Sequence, residues 1–396
     1  MNKVSPKSEK NLVSGLFFLF GFGIMSWIPR FPEVKANLGV DNGTFGSLIS
    51  VGSIGALISL MTAGHIVHKI GSKKVLVTSI TVLLFSIGLI VHIRSSFYFL
   101  LCNMMIGLAV SAFHIALTGQ AFHTQEKLKE HLLTKLQGLW SAGSVVTAML
   151  SGFLVGSVSL SVHIGVVVTI AWIMMMVMIS KLTPVLTKPN EEPDTDISIK
   201  KIFSSFRIDW PIAIALSCGV YMEFAVGDWG TIFTKERLGM SEGLSTVPYI
   251  LFSVMMIFGR LSISHFTGKT SLFQWVKRAA IGGGTAFIAC ITIAVHLPSS
   301  MKNISFALFC IGFLIAGLGS SILAPTFLNA ANQRSSAPSS VVVGQIGTLN
   351  TLLIFVCKWI VAWTIQITGS MAVAMMIPAL MLLAVSFLAK NIVKKG

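Results

Sequence analysis

Trp27-Ile-Pro-Arg30-Phe-Pro-Glu33-Val-Lys35-Ala-Asn-Leu38-Gly39-Val40-Asp41-Asn-Gly43 follows an apolar run near the start of the chain. About 200 residues later, Trp229-Gly-Thr-Ile-Phe-Thr-Lys235-Glu236-Arg237-Leu238-Gly239-Met240-Ser241-Glu242-Gly243 does the same. A second pair of stretches agrees with the first. Gly64-His-Ile-Val-His68-Lys69-Ile-Gly71-Ser-Lys73-Lys74 is matched by Gly259-Arg260-Leu-Ser-Ile-Ser-His265-Phe-Thr-Gly268-Lys269. Both pairs hold corresponding places in two runs of apolar segments, so the chain reads as a duplication.

The segments themselves define the class. Of 396 residues, 54% are hydrophobic and 11% charged, against roughly 25% charged in soluble domains. Apolar runs of about 20 residues, the length that spans a bilayer, recur throughout. Twelve spans are expected, at 11–29, 44–67, 75–93, 97–119, 136–158, 162–182, 209–234, 245–266, 275–296, 303–326, 340–367 and 371–391. This is an all-α membrane protein, two six-helix halves at 1–182 and 209–396 joined by a linker at 183–208. In the linker Pro184, Pro189 and Pro193 break helicity around an acidic cluster, Glu191, Glu192, Asp194 and Asp196.

The net charge of +15 invites a nucleic-acid reading, but its distribution opposes one. With both termini placed inside, 22 of the 29 Lys and Arg fall on the inner side, six in outer loops, and Lys358 within a span. That asymmetry is the positive-inside rule, which here places both termini and the linker in the cytoplasm of a plasma (bacterial inner) membrane. The first apolar run continues to Pro29 and is followed by eleven further spans, so it reads as a span, not a signal peptide. The five cysteines (Cys102, Cys218, Cys290, Cys310, Cys357) all fall in expected helices without a Cys-x-x-Cys, so packing roles are expected rather than disulfides or a metal. No phosphate-loop or enzyme motif is present, and no cofactor is expected.

Twelve spans, a duplicated half and a charged central linker resemble the major facilitator superfamily over nearly the whole chain. The local motif lies after span 2, where that family has Gly-x-Leu-x-Asp-Arg-x-Gly-Arg-Lys and this chain has Gly64, His68, Gly71, Lys73 and Lys74 at matching places. His68 replaces the acidic residue of the usual latch between halves. Glu223-Phe-Ala-Val-Gly-Asp228-Trp229, Gly317-Leu-Gly319 through Pro325-Thr326, and Gly138-Leu-Trp140-Ser-Ala-Gly143 are similar to segments of uncharacterised bacterial inner-membrane members. Those members are distantly similar to the fucose–proton symporter. Drug–proton antiporters typically carry an Arg in span 4 where this chain has Asn103, and a Gly-Pro motif in span 5, where this chain has no proline.

The resemblance implies the major facilitator fold and a secondary transporter working by alternating access. Its partners would be a small polar solute such as a sugar or sugar-like compound, protons and membrane lipid, with a monomer as the default form. An exporter of amphipathic compounds and a non-transporting receptor of the same fold are the alternatives.

Of fourteen acidic residues, only Glu223 and Asp228 fall in the interior of the expected spans, Asp209 standing at the first position of span 7. A charge in hydrocarbon costs about 3 kcal/mol or more, so such groups face a cavity or a partner. Desolvation favours the neutral form of a carboxyl, which suits Glu223 to carrying a proton; a permanently paired structural carboxylate is the alternative. Five residues apart on a helix, Glu223 and Asp228 point about 140° apart, so different partners are expected. Lys358 on span 11 sits level with Asp228 and close to Glu223, as an ion-pair partner or a substrate-anion site. Arg30, at similar depth on the repeat-related span 1, is expected to meet Asp228 as an outer gate, or else to bond headgroups. Trp27, Asn103, His114, Trp140, Trp229, Gln345 and Asn350 are candidates for a cavity wall, with His114 also suited to a helix–helix hydrogen bond.

Overall fold

The computed structural model describes residues 5–129, 132–183, 209–266, 271–334 and 339–392, and these are helical throughout apart from short turns. Twelve spans cross the molecule. In the first half they are Pro6–Ile24 (span 1), Asn42–Ser50 continued by Gly52–Ile70 (span 2), Ser72–Ile90 (span 3), Ser96–Leu128 (span 4), Leu133–Leu154 (span 5) and Leu160–Lys181 (span 6). In the second they are Trp210–Leu238 (span 7), Glu242–Phe266 (span 8), Leu272–His296 (span 9), Lys302–Ser320 continued by Leu323–Arg334 (span 10), Ser339–Thr368 (span 11) and Met371–Leu388 (span 12). Eleven of these segments are long and apolar enough to cross a membrane. The twelfth, span 5, is less apolar because it carries Gln137, Gly138, Ser141, Gly143 and Ser144. The linker expected at 183–208 lies, past Thr183, outside the described residues.

The duplication seen in the sequence has a geometric counterpart. Gly39 ends the short helix Phe31–Leu38 at φ 64°, and Gly239 ends span 7 at φ 59°. Both occupy the left-handed conformation that closes a helix and that glycine adopts without strain. The turn that follows starts span 2 with Asp41 as N-cap, its Oδ1 accepting from the Thr44 amide at 2.8 Å. These two turns mark the end of the molecule called outer here, after the charge distribution.

Within each half the helices cross at glycines. A Cβ on Gly107 of span 4 would overlap the Gly52 carbonyl of span 2, and one on Gly143 of span 5 would overlap the Phe18 carbonyl of span 1. In the second half a Cβ on Gly317 of span 10 would overlap the Phe252 carbonyl of span 8. Lipid offers no hydrophobic drive for helix association, so such backbone-to-backbone approach is what packing must supply.

Spans 1, 4 and 10 differ most from expectation, span 10 running about eight residues past its expected end. Span 1 begins at Pro6, which brings Glu9 inside the first helix, fully buried and paired with Lys127 of span 4 at 3.0 Å. It also ends early, at Ile24, and the chain continues through a 3-10 turn at Ile28–Arg30. Span 4 runs about nine residues past its expected end.

Between the halves, close contacts gather at the outer end. Gly46 of span 2 packs against the Trp229 ring and Ala362 of span 11, Gly43 against Gln366, and Gly152 of span 5 against Thr246 of span 8.

Candidate functional site: a cavity between the halves

Beneath that closed outer end lies a cavity of about 450 Å³ with walls from both halves, within the size range of small-ligand sites. Its roof is a run of rings. Trp27 meets Phe31 edge-on at 4.8 Å between centroids, Phe31 meets Phe45 at 5.6 Å, and Phe45 meets Trp229 at 6.4 Å. Above the roof, Glu236 of the second half accepts a hydrogen bond from Asn42 at 2.8 Å and pairs with Lys35.

The first half lines the cavity with uncharged groups, chiefly Trp27, Asn103, Trp140 and serines of spans 2, 4 and 5. Asn103 also has a structural task. Span 2 is interrupted at Val51, and the Asn103 amide donates to the carbonyls of Leu48 and Ile49 at 3.1 and 2.8 Å beside that break. Several cavity hydroxyls are likewise committed to their own helices: Ser141 to the Gln137 carbonyl, Ser144 to Trp140, Ser253 to Tyr249 and Thr351 to Gly347.

The second half brings the charge. Asp228 pairs with Lys358 at 2.8 Å, both side chains nearly enclosed at 12% and 13% exposure. The Lys358 ammonium stands 5.5 Å from the centre of the Phe224 ring. Glu223 takes a different partner, as the five-residue spacing requires: it accepts from Arg260 of span 8 at 3.1 Å. Arg260 is anchored in turn, its Nε donating to the Ser321 carbonyl at 3.2 Å where span 10 is interrupted. Asn350 accepts from Ser217 at 2.9 Å through Oδ1. Glu223, Asp228, Asn350 and Lys358 all line the cavity.

Arg30 and Asp228 do not meet. Fully buried, Arg30 holds both Glu33 oxygens, the Val158 carbonyl at 2.9 Å and His163 Nδ1 at 3.2 Å. The matched-depth expectation assumed two straight helices. Because span 1 breaks after Ile24, the 3-10 turn swings Arg30 towards spans 5 and 6, while span 7 stays helical to Leu238.

Trp229 is 1% exposed and seals the halves together; it does not line the cavity. His114 lies outside the lining, where it meets Gln137 of span 5 at 3.4 Å, and Gln345 is likewise outside it. Near the inner end, Gly71 takes φ 88° between spans 2 and 3. Lys73 beside it donates to the carbonyls of Ser180 and Leu182 at 2.6 and 3.2 Å, holding the end of span 6 within the same half. Lys74 takes part only through its carbonyl, which accepts from Thr78. Gly64 is in helical backbone, and the expectation for the His68 side chain lies outside the described residues.

Arg260 was missed by sequence reasoning. It sits in an apolar run, at 245–266, but its place beside Gly259 reads as the repeat of the loop motif rather than as an intramembrane charge. The signal was the Arg itself, six residues inside the expected end of span 8.

Comparison with known proteins agrees with this architecture. A relative from Yersinia pestis, described as an uncharacterised MFS-type transporter, is 24% identical over 385 residues, covering 96% of this chain and 94% of its own. Membrane protein MosC of Rhizobium meliloti is 22% identical, over 82% of this chain and 76% of its own. Among solved structures, a variant of nucleoside transporter NupG superposes with a TM-score of 0.74 at 13% identity, covering 98% of this chain and all of its own. A D-xylose–proton symporter gives 0.72 at 13%, covering 98% of each. Residues 13–356 match the Major Facilitator Superfamily, and the chain is a multi-pass membrane transporter of that family.

Proposed function

We propose that the protein moves a small polar solute across the bacterial inner membrane together with protons, the two halves rocking about the central cavity. The observation that carries this is the cavity itself: it is roofed on the outer side, walled by both halves, and holds the two carboxylates of span 7. A roof and rim made of contacts between halves can open only if the halves move, which is the requirement of alternating access. The closed outer end is the arrangement expected of a carrier facing inward, with both termini in the cytoplasm.

The geometry favours Asp228 over Glu223 as the proton carrier. Glu223 is braced by Arg260, whose guanidinium stays charged and is tied to span 10. Asp228 is more enclosed and answers to one flexible ammonium, so protonating it changes a single pair. Sugar-like solutes follow from the sequence resemblance; a fold shared at 13% identity leaves the solute open.

A counterflow screen in proteoliposomes tests the transport reading. Solutes that stabilise the purified protein should exchange between equal pools and accumulate when the outside is made acidic. If no stabilising solute exchanges, the receptor reading replaces this one.

A further inference from the structure

The charges around the cavity balance one against one, and this restricts the solute. Glu223 is matched by Arg260 and Asp228 by Lys358, so the empty carrier holds no uncompensated charge there. The described cavity lining from spans 1, 2, 4 and 5 adds none. If a proton arrives at Asp228 with a neutral solute, Lys358 loses its counter-ion inside a nearly enclosed site, which is costly. If a monoanion arrives with the proton, its negative group takes the place of Asp228 at the ammonium. The loaded carrier is then as neutral as the empty one, and both can reorient.

The remaining walls suit such a ligand better than a polyol. Several cavity hydroxyls spend their protons on their own helix carbonyls, and both protons of the Asn103 amide go to span 2. Each hydroxyl of a sugar needs a partner in the site, and an unpaired polar group is heavily penalised. Trp27, Trp140 and Phe224 instead offer flat apolar surface. From these observations we infer that the solute is a small organic monocarboxylate with an apolar or aromatic body, carried with one proton, its carboxylate binding Lys358 in exchange for Asp228. This rests on the transport reading above. The proton goes onto the Asp228 carboxylate as the solute's carboxylate binds, and both leave together on the other side.

Other titratable groups stand around the pair. Tyr221 of span 7 lies within electrostatic reach of Asp228 and of Cys357 on span 11, and Cys357 of Cys218. Tyr249 of span 8 stands in reach of Glu223, which keeps its Arg260. None of these pairs directly with Lys358, which leaves Asp228 as the group exchanged.

Three probes of one shape and different charge separate the possibilities: benzoate, benzamide and benzylamine, titrated calorimetrically into the purified full-length protein at pH 5.5 and 7.5. Benzoate should bind at least tenfold more tightly than the other two, and more tightly at pH 5.5. Lys358→Met should remove benzoate binding. In Asp228→Asn, where Lys358 has no competing carboxylate, benzoate should bind at both pH values with the difference between them lost. A folded Asp228→Asn protein, judged by its elution and melting, keeps the test valid even where Lys358→Met does not fold. Equal or tighter binding of benzamide or benzylamine overturns the inference, as does benzoate binding that Asp228→Asn leaves pH-dependent. Coupled uptake of a neutral sugar with no benzoate binding overturns it while leaving the transport reading intact. Benzoate binding with no solute exchanged sinks the transport reading alone.

Discussion

Span 1 and span 7 descend from the same repeat, yet they spend their charge differently. Span 1 breaks after Ile24 and turns Arg30 into a buried cluster with Glu33, Val158 and His163, away from the cavity. Span 7 runs unbroken for 29 residues and holds Glu223 and Asp228 against the cavity, each with a cation from a neighbouring helix of its own half. The first half thus uses its intramembrane charge to fix a fold and offers rings, hydroxyls and an amide. The second half carries the groups able to change partner. Duplication supplied two equivalent scaffolds, and one helix break turns the charge of one of them away from the cavity.

If Arg30 is structural, its loss should appear in stability and not in coupling. Arg30→Ala empties a fully buried site and leaves the half-buried Glu33 without its cation, which should cost about 3 kcal/mol or more, read as a fall in melting temperature or in folded yield. The double exchange Arg30→Asp with Asp228→Arg should rescue nothing, since the two residues do not meet. Recovery of transport in that double variant would restore the gate that straight helices suggested and put Arg30 back beside span 7.

Next in size is the helix crossing at Gly107. Gly107→Val would drive side-chain atoms into the span 2 backbone beside its break, at a cost of about 3 kcal/mol. Melting of the purified variant checks it. An unchanged melting temperature would mean that spans 2 and 4 can part without loss.

The outer rim should matter less. Lys35 and Glu236 are 14% and 40% exposed, so solvent screening reduces their pair to about 0.5–1 kcal/mol. Glu236→Gln should therefore raise the outward-open population only a few-fold. Labelling of Ser53→Cys, in the cavity wall, by an impermeant thiol reagent from outside should speed up by that factor; no change would remove the rim from the gate.

Smallest is the N-cap at Asp41. The Thr44 amide holds its carboxyl below the usual Asp range. A depressed value in the folded state means the stabilisation is present above the unfolded value, about 3.9, and is lost as pH falls through the folded one. Asp41→Ala should cost about 1 kcal/mol near neutral pH, with the cost shrinking in acid. A cost that is equal at pH 7 and pH 3 would show that the carboxylate charge is not what caps the helix.

The span count, the duplication and the closeness of Lys358 to the carboxylates of span 7 were legible in the sequence because a charge within an apolar run is conspicuous, and depth along a straight helix locates it well; that the partner is Asp228 came from the structure. The same reasoning failed at Arg30, where the helix is not straight: Pro29 and Pro32 stand beside a break whose direction only packing decides. Trp27 and Trp229 hold equivalent places in the repeat, but one lines the cavity and the other seals the halves. Which of two equivalent rings faces the cavity depends on how the halves dock, and no local pattern records that. Asn103 looked like a cavity group and is one, but its hydrogen bonds to an interrupted helix need the third dimension to be seen.

If the exchangeable partner of Lys358 couples solute to protons, Asp228 is the residue to change. Asp228→Asn is reconstituted beside the unmodified protein, and one radiolabelled solute, taken from the counterflow screen, is followed in two assays. With a neutral amide in place of the carboxylate, accumulation driven by a pH gradient should fall at least tenfold while exchange between equal pools continues. Undiminished accumulation in Asp228→Asn would mean that Asp228 carries no coupled proton.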